Sequence, residues 1–203
     1  MNELALVYTM GKVGSSTVMN AVRSIGWEVG RGYKENIKRI GPLSQYKKVI
    51  SMVRDPVARN VSMFFELGGR SMDQFINEFP HLEFASWFED WVKPIFKVDV
   101  VKQAFSKRKG YQIYDGFYLV IRTENLSNNL DYALGELFDV DPAKIDVDHR
   151  AETITTRQYA DEYREFIEVL KLPENLIDEI YNSEFVNRFY YAQWIEAFRK
   201  RWS

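Results

Sequence analysis

The sequence predicts an α/β fold: a P-loop-like, three-layer arrangement with a mostly parallel central sheet and a helical C-terminal part. Short apolar runs alternate with helical patterns through the first two thirds of the chain, which is typical of parallel-sheet proteins. From about residue 156 onward, helical patterns alone remain. With 203 residues, 46% of them apolar, we expect a single domain over residues 1–203.

The strands are predicted from short apolar runs, each followed by glycine, by polar residues or by an Asp-Pro pair that marks the end of the strand. These runs cover residues 4–9, 27–29, 47–53 and 117–122. Helices are expected over 15–25, from Pro56 to about Gly68, and over 125–138, with Asp55 as the N-cap before Pro56. Further helical patterns cover 71–109, interrupted by Pro94. From about residue 156 the sequence predicts three helices, broken near Pro173 and Ser183, and 139–156 is predicted to be a polar loop.

Composition excludes several classes of chemistry. The chain has no cysteine, which excludes disulfides, thiolate metal sites and cysteine nucleophiles. Its two histidines, His81 and His149, are too few for a multi-histidine centre, so no metal site is predicted. No apolar run approaches the roughly 18 residues that span a bilayer, and the N-terminal residues lack a signal-peptide pattern. We therefore expect a cytoplasmic protein without a transmembrane segment.

Charge is unevenly distributed along the chain. Residues 1–70 hold 11 Lys and Arg against 5 Asp and Glu, whereas the remaining residues hold 16 against 24. A basic N-terminal part favours a small anionic ligand, because a nucleic acid would need a broader basic face. No nucleic-acid partner is expected, and chance variation of surface charge is the alternative explanation.

The most informative motif joins the first predicted strand to the first predicted helix, with the sequence TMGKVGSST. At such a junction the helix N-terminus presents backbone N–H groups and a favourable dipole to an anion. Glycines allow close approach of a ligand, hydroxyls donate hydrogen bonds, and a lysine adds mobile positive charge. The residues expected to bind phosphate here are Gly11, Lys12, Val13, Gly14, Ser15, Ser16 and Thr17.

A second motif follows the predicted strand at 47–53. Arg54 stands at the carboxyl end of this strand, the edge at which open α/β sheets bind ligands. Ser62 lies two turns into the following helix, so a guanidinium and a hydroxyl can converge on one phosphate group. A surface turn at Arg54 and Asp55 with a small buried serine is the alternative reading.

Together the two motifs resemble those of the sulfotransferase superfamily, whose enzymes use 3′-phosphoadenosine 5′-phosphosulfate (PAPS). The first family motif, K-x-G-[ST]-[ST], binds the 5′-phosphosulfate. The second has Arg at a strand end and Ser eight residues later, and it binds the 3′-phosphate. The matching residues here are Lys12, Gly14, Ser15, Ser16, Arg54 and Ser62.

A finer similarity is to a bacterial group of capsular polysaccharide synthesis proteins. Residues 10–16 and 53–60 resemble that group's two motifs, and three later segments resemble it more weakly: Trp87-Phe88, residues 122–126 and Phe189-Tyr190. This resemblance implies that the acceptor is a hydroxyl group of a carbohydrate or another small metabolite. The group's pattern has a histidine after the second strand, and this chain has none at 29–35.

The resemblance implies a PAPS-dependent sulfotransferase whose second product is adenosine 3′,5′-bisphosphate. Lys12 would neutralise the leaving phosphate oxygen, while Arg54 and Ser62 would hold the 3′-phosphate. By analogy with phosphoryl transfer, such a protein acts mainly by positioning groups and stabilising charge.

A general base must accept the proton of the acceptor hydroxyl. Glu35 is the first candidate, because related enzymes use a glutamate in this neighbourhood; a solvated acid beside Lys34 and Lys38 is the alternative. His81 is the second candidate, against a packing role at the start of a helix, and His149 is the third.

Two other functions stay open at this point. A magnesium-dependent nucleotide kinase would need the Walker A order G-x-x-x-x-G-K-[ST], but Lys12 precedes Gly14 here. A catalytically degenerate nucleotide-binding protein would keep both phosphate motifs and lack the base. The sequence does not specify the oligomeric state.

Overall fold

The computed structural model describes residues 3–34, 36–147 and 158–203. The chain divides into two compact units. The first unit comprises Met1–Arg54 and Phe88–Ala151, and the second comprises Asp55–Trp87 and Glu152–Ser203. The predicted polar loop at 139–156 lies partly outside the described residues. Among its described residues, Pro142–Lys144 form a short 3₁₀ turn.

The first unit contains a five-stranded sheet in the order β2-β1-β3-β5-β4. The four strands β2, β1, β3 and β5 are parallel, and β4 is an antiparallel edge strand. The parallel strands therefore end at one common edge of the sheet. The strands are β1 Leu4–Tyr8, β2 Glu28–Gly32, β3 Tyr46–Val53, β4 Tyr111–Tyr114 and β5 Tyr118–Arg122.

Helices accompany the sheet and build most of the second unit. In the first unit a short π-helical turn, Phe88–Val92, leads directly into α4. The helices of the described residues are α1 Ser15–Ser24, α2 Pro56–Glu66, α3 Met72–Glu78, α4 Lys93–Phe96, α5 Leu126–Phe138, α6 Ala160–Val169, α7 Glu174–Tyr181, α8 Glu184–Phe189 and α9 Ala192–Trp202.

The main core of the first unit lies between the sheet and the helices α1 and α5. Apolar residues recur at helical spacing on α1 and α5, and alternate residues of the buried strands belong to this core. Its members include Val7, Val18, Val22, Ile50, Ile121, Leu130 and Leu134. This packing fixes the end of β1 relative to the start of α1.

A buried polar contact holds the carboxyl end of β1. The Ser51 hydroxyl donates to the Tyr8 carbonyl at 2.6 Å and also lies 2.6 Å from the Tyr118 hydroxyl. Because a serine hydroxyl has one hydrogen, the Tyr118 hydroxyl is the donor of the second bond. Burial raises the pKa of the Tyr118 phenol, which keeps it protonated. The strand that precedes the phosphate motif is thus tied directly to β3 and, through Ser51, to β5.

The described part of the second unit consists of helices packed around aromatic side chains. Phe64 and Phe65 of α2, Phe75 of α3 and Phe166 of α6 form ring contacts with centroid separations of 5.1–6.1 Å. Edge-on and tilted contacts of this kind add to the free energy of burial.

Asp55 connects three elements of this unit. One carboxylate oxygen accepts hydrogen bonds from the Val57 N–H at 3.2 Å and the Tyr181 hydroxyl at 2.6 Å. The other accepts from the Trp202 indole N–H at 2.9 Å. The residue is 3% exposed. The predicted N-cap of α2 is therefore confirmed, and the same carboxylate also anchors α7 and α9.

The predicted mixed α/β class with a mostly parallel sheet is confirmed, but three details are wrong. Residues 71–109 are not continuously helical, and Pro94 lies in the first turn of α4, where the missing N–H costs nothing. The region from about residue 156 contains four described helices instead of three. The antiparallel strand β4 was not predicted, although the hairpin residues Asp115 and Gly116, both with positive φ, are its usual signal.

Among the described helices, none combines the length and apolar character that crossing a membrane requires.

We predict that Asp55→Ala lowers the free energy of unfolding by about 3 kcal/mol or more, because it leaves three buried donors without this acceptor. In the background of Tyr181→Phe, which removes one of these donors, Asp55→Ala should lower the free energy of unfolding by about 1 kcal/mol less. Asp178→Ala is the matched control, because Asp178 pairs with Arg199 between the same two helices, α7 and α9, at a partly exposed position. It should cost at most about 1 kcal/mol. Urea unfolding measures all three; equal losses for Asp55→Ala and Asp178→Ala would contradict the anchoring role.

Candidate functional site

The segment between β1 and α1 has an unusual backbone conformation. Gly11, Lys12 and Gly14 all have positive φ, at 83°, 57° and 85°. Left-handed residues at these positions redirect the backbone N–H groups, and such turns form concave anion-binding surfaces. Lys12 is notable because a non-glycine residue in this region carries a conformational cost of about 1 kcal/mol or more. We call residues Thr9–Thr17 the phosphate loop.

The N-terminus of α1 has no side-chain cap. Gly14 occupies the N-cap position, and the first turn contains no acidic residue. Its side chains are instead the half-buried hydroxyls of Ser15, Ser16 and Thr17. The first-turn N–H groups have no intrahelical acceptor in any α-helix, so this end is suited to bind an anion.

Two side chains from neighbouring strands brace the phosphate loop through its carbonyl groups. Arg54, directly after β3, donates from Nη1 to the Lys12 carbonyl at 3.0 Å. Thr123, directly after β5, donates from Oγ1 to the Val13 carbonyl at 2.8 Å. These two hydrogen bonds hold the carbonyl groups on the side of Arg54 and Thr123. The N–H groups of the same two peptide units therefore point the opposite way.

Gly14 is required by both conformation and space. A Cβ atom at this position would lie 2.8 Å from Cδ1 of Leu126, at the start of α5. Any side chain here would therefore combine a strained φ with displacement of a core residue.

Arg31 is a further basic residue beside the phosphate loop. It lies on β2, where it is paired in register with Val7 of β1. Its Nη2 donates to the Ser16 hydroxyl at 3.1 Å, and its Nε lies 3.1 Å from the Met19 sulfur.

Sequence reasoning missed the roles of Arg31 and Thr123. One signal could have identified them: both lie at or directly after the carboxyl ends of parallel strands. Once the strand order is known, β2 lies beside β1, and β5 lies on the other side of β1 beyond β3.

The predicted pairing of Arg54 with Ser62 lies across the two units. Arg54 is the last residue of the first segment of the first unit, whereas Ser62 lies on α2 of the second unit and is 5% exposed. The shared binding of a 3′-phosphate by these two residues stays a prediction.

Of the three candidate bases, the structure describes only His81. Glu35 and His149 lie outside the described residues, so their assignments stay predictions. His81 is described, and it lies in the second unit within the aromatic cluster. Its ring makes edge contacts with Phe75 at 4.8 Å and Phe79 at 5.5 Å between centroids.

His81 is held as a neutral ring. It is 6% exposed, and its Nε2 lies 2.7 Å from the Phe75 carbonyl, which requires that Nε2 carry the hydrogen. Its Nδ1 is buried without a hydrogen-bond partner among the described residues. Burial lowers the pKa of His81, and the backbone hydrogen bond opposes this shift only in part. Asn60 also holds this residue, because its side-chain amide donates to the His81 backbone carbonyl at 2.9 Å.

The fold and site define an α/β protein with a mostly parallel sheet and a basic strand–loop–helix junction at the sheet edge. Residues 73–191, more than half of the chain, match the model of the NKWYS family, described as "Putative capsular polysaccharide synthesis protein". The chain belongs to this family. The matched segment includes β4, β5 and α5 and begins after the phosphate loop and Ser62. No curated protein and no solved structure gives a significant match.

We predict that His81 makes the protein less stable in mild acid. The unfolded chain takes up a proton near pH 6.5, whereas the folded chain resists it because the pKa of His81 is lowered. This stability is therefore complete above about pH 6.5 and is lost as the pH falls from there toward the folded pKa, by at most about 1.4 kcal/mol per pH unit.

The variant His81→Gln retains a donor for the Phe75 carbonyl and cannot titrate. Urea unfolding of both proteins between pH 7.5 and 5 measures the difference. Parallel pH profiles would contradict the neutral, buried state of His81.

Proposed function

We propose that this protein is a sulfotransferase that moves a sulfuryl group from PAPS to a hydroxyl group of a carbohydrate or small metabolite. The observation that carries the proposal is the phosphate loop. Its left-handed turn, uncapped helix N-terminus and central lysine lie together at one junction, and each is suited to an anionic ligand. The family description as capsular polysaccharide synthesis protein supports a carbohydrate acceptor.

The residues present fit a phosphosulfate group. Residues 9–17 contain one lysine, four hydroxyl side chains and no acidic residue. Arg54 and Arg31 add guanidinium groups from the strands on either side of β1. A group with several negatively charged oxygens is therefore matched by both charge and donors.

PAPS supplies an activated sulfuryl group attached to a phosphate leaving group. In the proposed arrangement the first-turn N–H groups and hydroxyls of α1 bind the 5′-phosphate. Lys12 neutralises the charge that develops on the bridging oxygen, which lowers the barrier to transfer. Arg54 and Ser62 bind the 3′-phosphate, and Glu35 is the first candidate to accept the acceptor proton, with His81 second and His149 third.

The order of residues in the phosphate loop distinguishes this proposal from a nucleotide kinase. A Walker A lysine follows the second glycine at the start of the helix, whereas Lys12 lies before Gly14 and within the left-handed turn. The 3′-phosphate is the second distinction, because ATP has none for Arg54 and Ser62 to bind.

We predict that adenosine 3′,5′-bisphosphate raises the melting temperature by about 5 to 10 °C at a hundredfold excess over its Kd. AMP, ADP and ATP with Mg²⁺ are the matched comparisons, and each should give a much smaller shift. Differential scanning fluorimetry makes the measurement. A shift with ATP and Mg²⁺ alone would favour a kinase and overturn the proposal. A shift with the bisphosphate but no turnover of PAPS with any saccharide would indicate a degenerate binding protein.

We predict that Lys12→Ala lowers the rate of sulfuryl transfer by at least about a hundredfold, the usual cost of losing one charge-stabilising group. Lys97→Ala is the matched control, because Lys97 is another left-handed lysine of the first unit, with φ 61°, and lies after α4. It should leave the rate unchanged. Formation of the bisphosphate from PAPS with a panel of saccharides measures both. Wild-type transfer by Lys12→Ala would refute the mechanism.

A further inference from the structure

We infer that Arg31 is an anion-binding and positioning residue of the phosphate loop: it binds the ligand's 5′ oxyanion and orients the Ser16 hydroxyl toward it. This inference rests on the proposed function, since it assigns a residue to the same site. Neither of the two predicted phosphate motifs includes this residue.

The position of Arg31 follows from the sheet. β1 lies between β2 and β3, so the phosphate loop that follows β1 is flanked by residues from both of these strands. Arg31 is the penultimate residue of β2, and Arg54 follows the last residue of β3. Two guanidinium groups therefore contact this segment from opposite sides of β1, at Ser16 and at the Lys12 carbonyl.

The side chain of Arg31 is exposed to solvent, and its described contacts do not neutralise its charge. Its described partners are a hydroxyl and a thioether, which are both neutral. Within residues 3–34, 36–147 and 158–203, no carboxylate forms an ion pair with it. A guanidinium has five N–H donors in a planar fork, and these two contacts use two of them. The remaining donors can bind an oxyanion beside the first turn of α1.

The bond from Arg31 also determines what Ser16 can do. A hydroxyl that accepts from a guanidinium N–H keeps its one hydrogen for another acceptor. Ser16 lies in the first turn of α1, two residues after the N-cap Gly14. Its hydrogen can therefore be donated to an anion bound at this helix end, so Arg31 acts on the ligand both directly and through Ser16.

A purely structural role for Arg31 would give a different experimental result. If Arg31 served only to attach β2 to α1, its loss would lower the stability of the ligand-free protein, and ligand affinity would not depend on it specifically. Affinity and ligand-free stability therefore separate the two roles.

The test compares Arg31→Met with Arg23→Met by isothermal titration calorimetry. Arg23 is the matched control, because it is an exposed arginine in the last turn of α1 that contacts Asn20. Both variants lose one positive charge and keep an unbranched side chain. Adenosine 3′,5′-bisphosphate and inorganic pyrophosphate are the two probes, and the melting temperature of each ligand-free variant is recorded.

We expect Arg31→Met to weaken binding of both probes by about 10- to 100-fold, the loss typical of a charge-assisted hydrogen bond. Arg23→Met should change it less than about twofold. Arg31→Lys should recover only part of the affinity, since it restores the charge without the fork. In a double-mutant cycle, Ser16→Ala should weaken binding less in the Arg31→Met background than in the wild type.

The two probes separate failure of this inference from failure of the proposed function. Wild-type affinity of Arg31→Met for both probes, with or without a lower melting temperature, would overturn the inference and leave the proposed function intact. Pyrophosphate binding that depends on Arg31, without any preference for the bisphosphate over AMP, would support the inference and contradict PAPS as the donor. Failure of the wild type to bind either probe would overturn both.

Discussion

The left-handed turn between β1 and α1 is the constraint on which the candidate site depends. Three residues of this short segment have positive φ, and one of them is a lysine, which tolerates that conformation poorly. The surrounding residues hold the turn in place: Arg54 and Thr123 bind its carbonyls, and Leu126 occupies the space beside Gly14. The sheet edge thus maintains a strained backbone conformation, and our proposal explains it as a means of presenting N–H groups and a cation to an anion.

The segment after β3 serves two separate purposes with adjacent residues. Arg54 braces the phosphate loop in the first unit, and Asp55 anchors three elements of the second through Val57, Tyr181 and Trp202. Asn60, further along α2, contacts the His81 carbonyl. The motif that resembles a phosphate-binding signature is therefore also an architectural one. A substitution in this motif can therefore act by disturbing the phosphate loop or by lowering the stability of the second unit. Measuring both ligand affinity and the free energy of unfolding distinguishes the two effects.

The strands and helices with strong local patterns could be predicted from the sequence, and so could the turn between β1 and α1, because glycine spacing and the strand–helix junction are local signals. Strand order is a non-local property, so the placement of Arg31 and Thr123 beside that loop could not be read from the chain. The four-residue strand β4 is too short for a periodic signal, although Asp115 and Gly116 mark its turn. Trp87 and Trp91 are four residues apart, yet Trp87 is buried and Trp91 is exposed, so spacing alone does not predict which aromatic side chains are buried.

Backbone amide NMR during titration with adenosine 3′,5′-bisphosphate tests the central claim most directly. The account predicts that the largest shifts of the N–H resonances occur in residues 14–17, where the helix end would meet the 5′-phosphate, with a further change at Arg31. AMP should shift the same amides and leave Arg54 and Ser62 unaffected. Binding of the bisphosphate with no change in residues 11–17 would place the ligand elsewhere and contradict the assignment of this loop as the phosphate site.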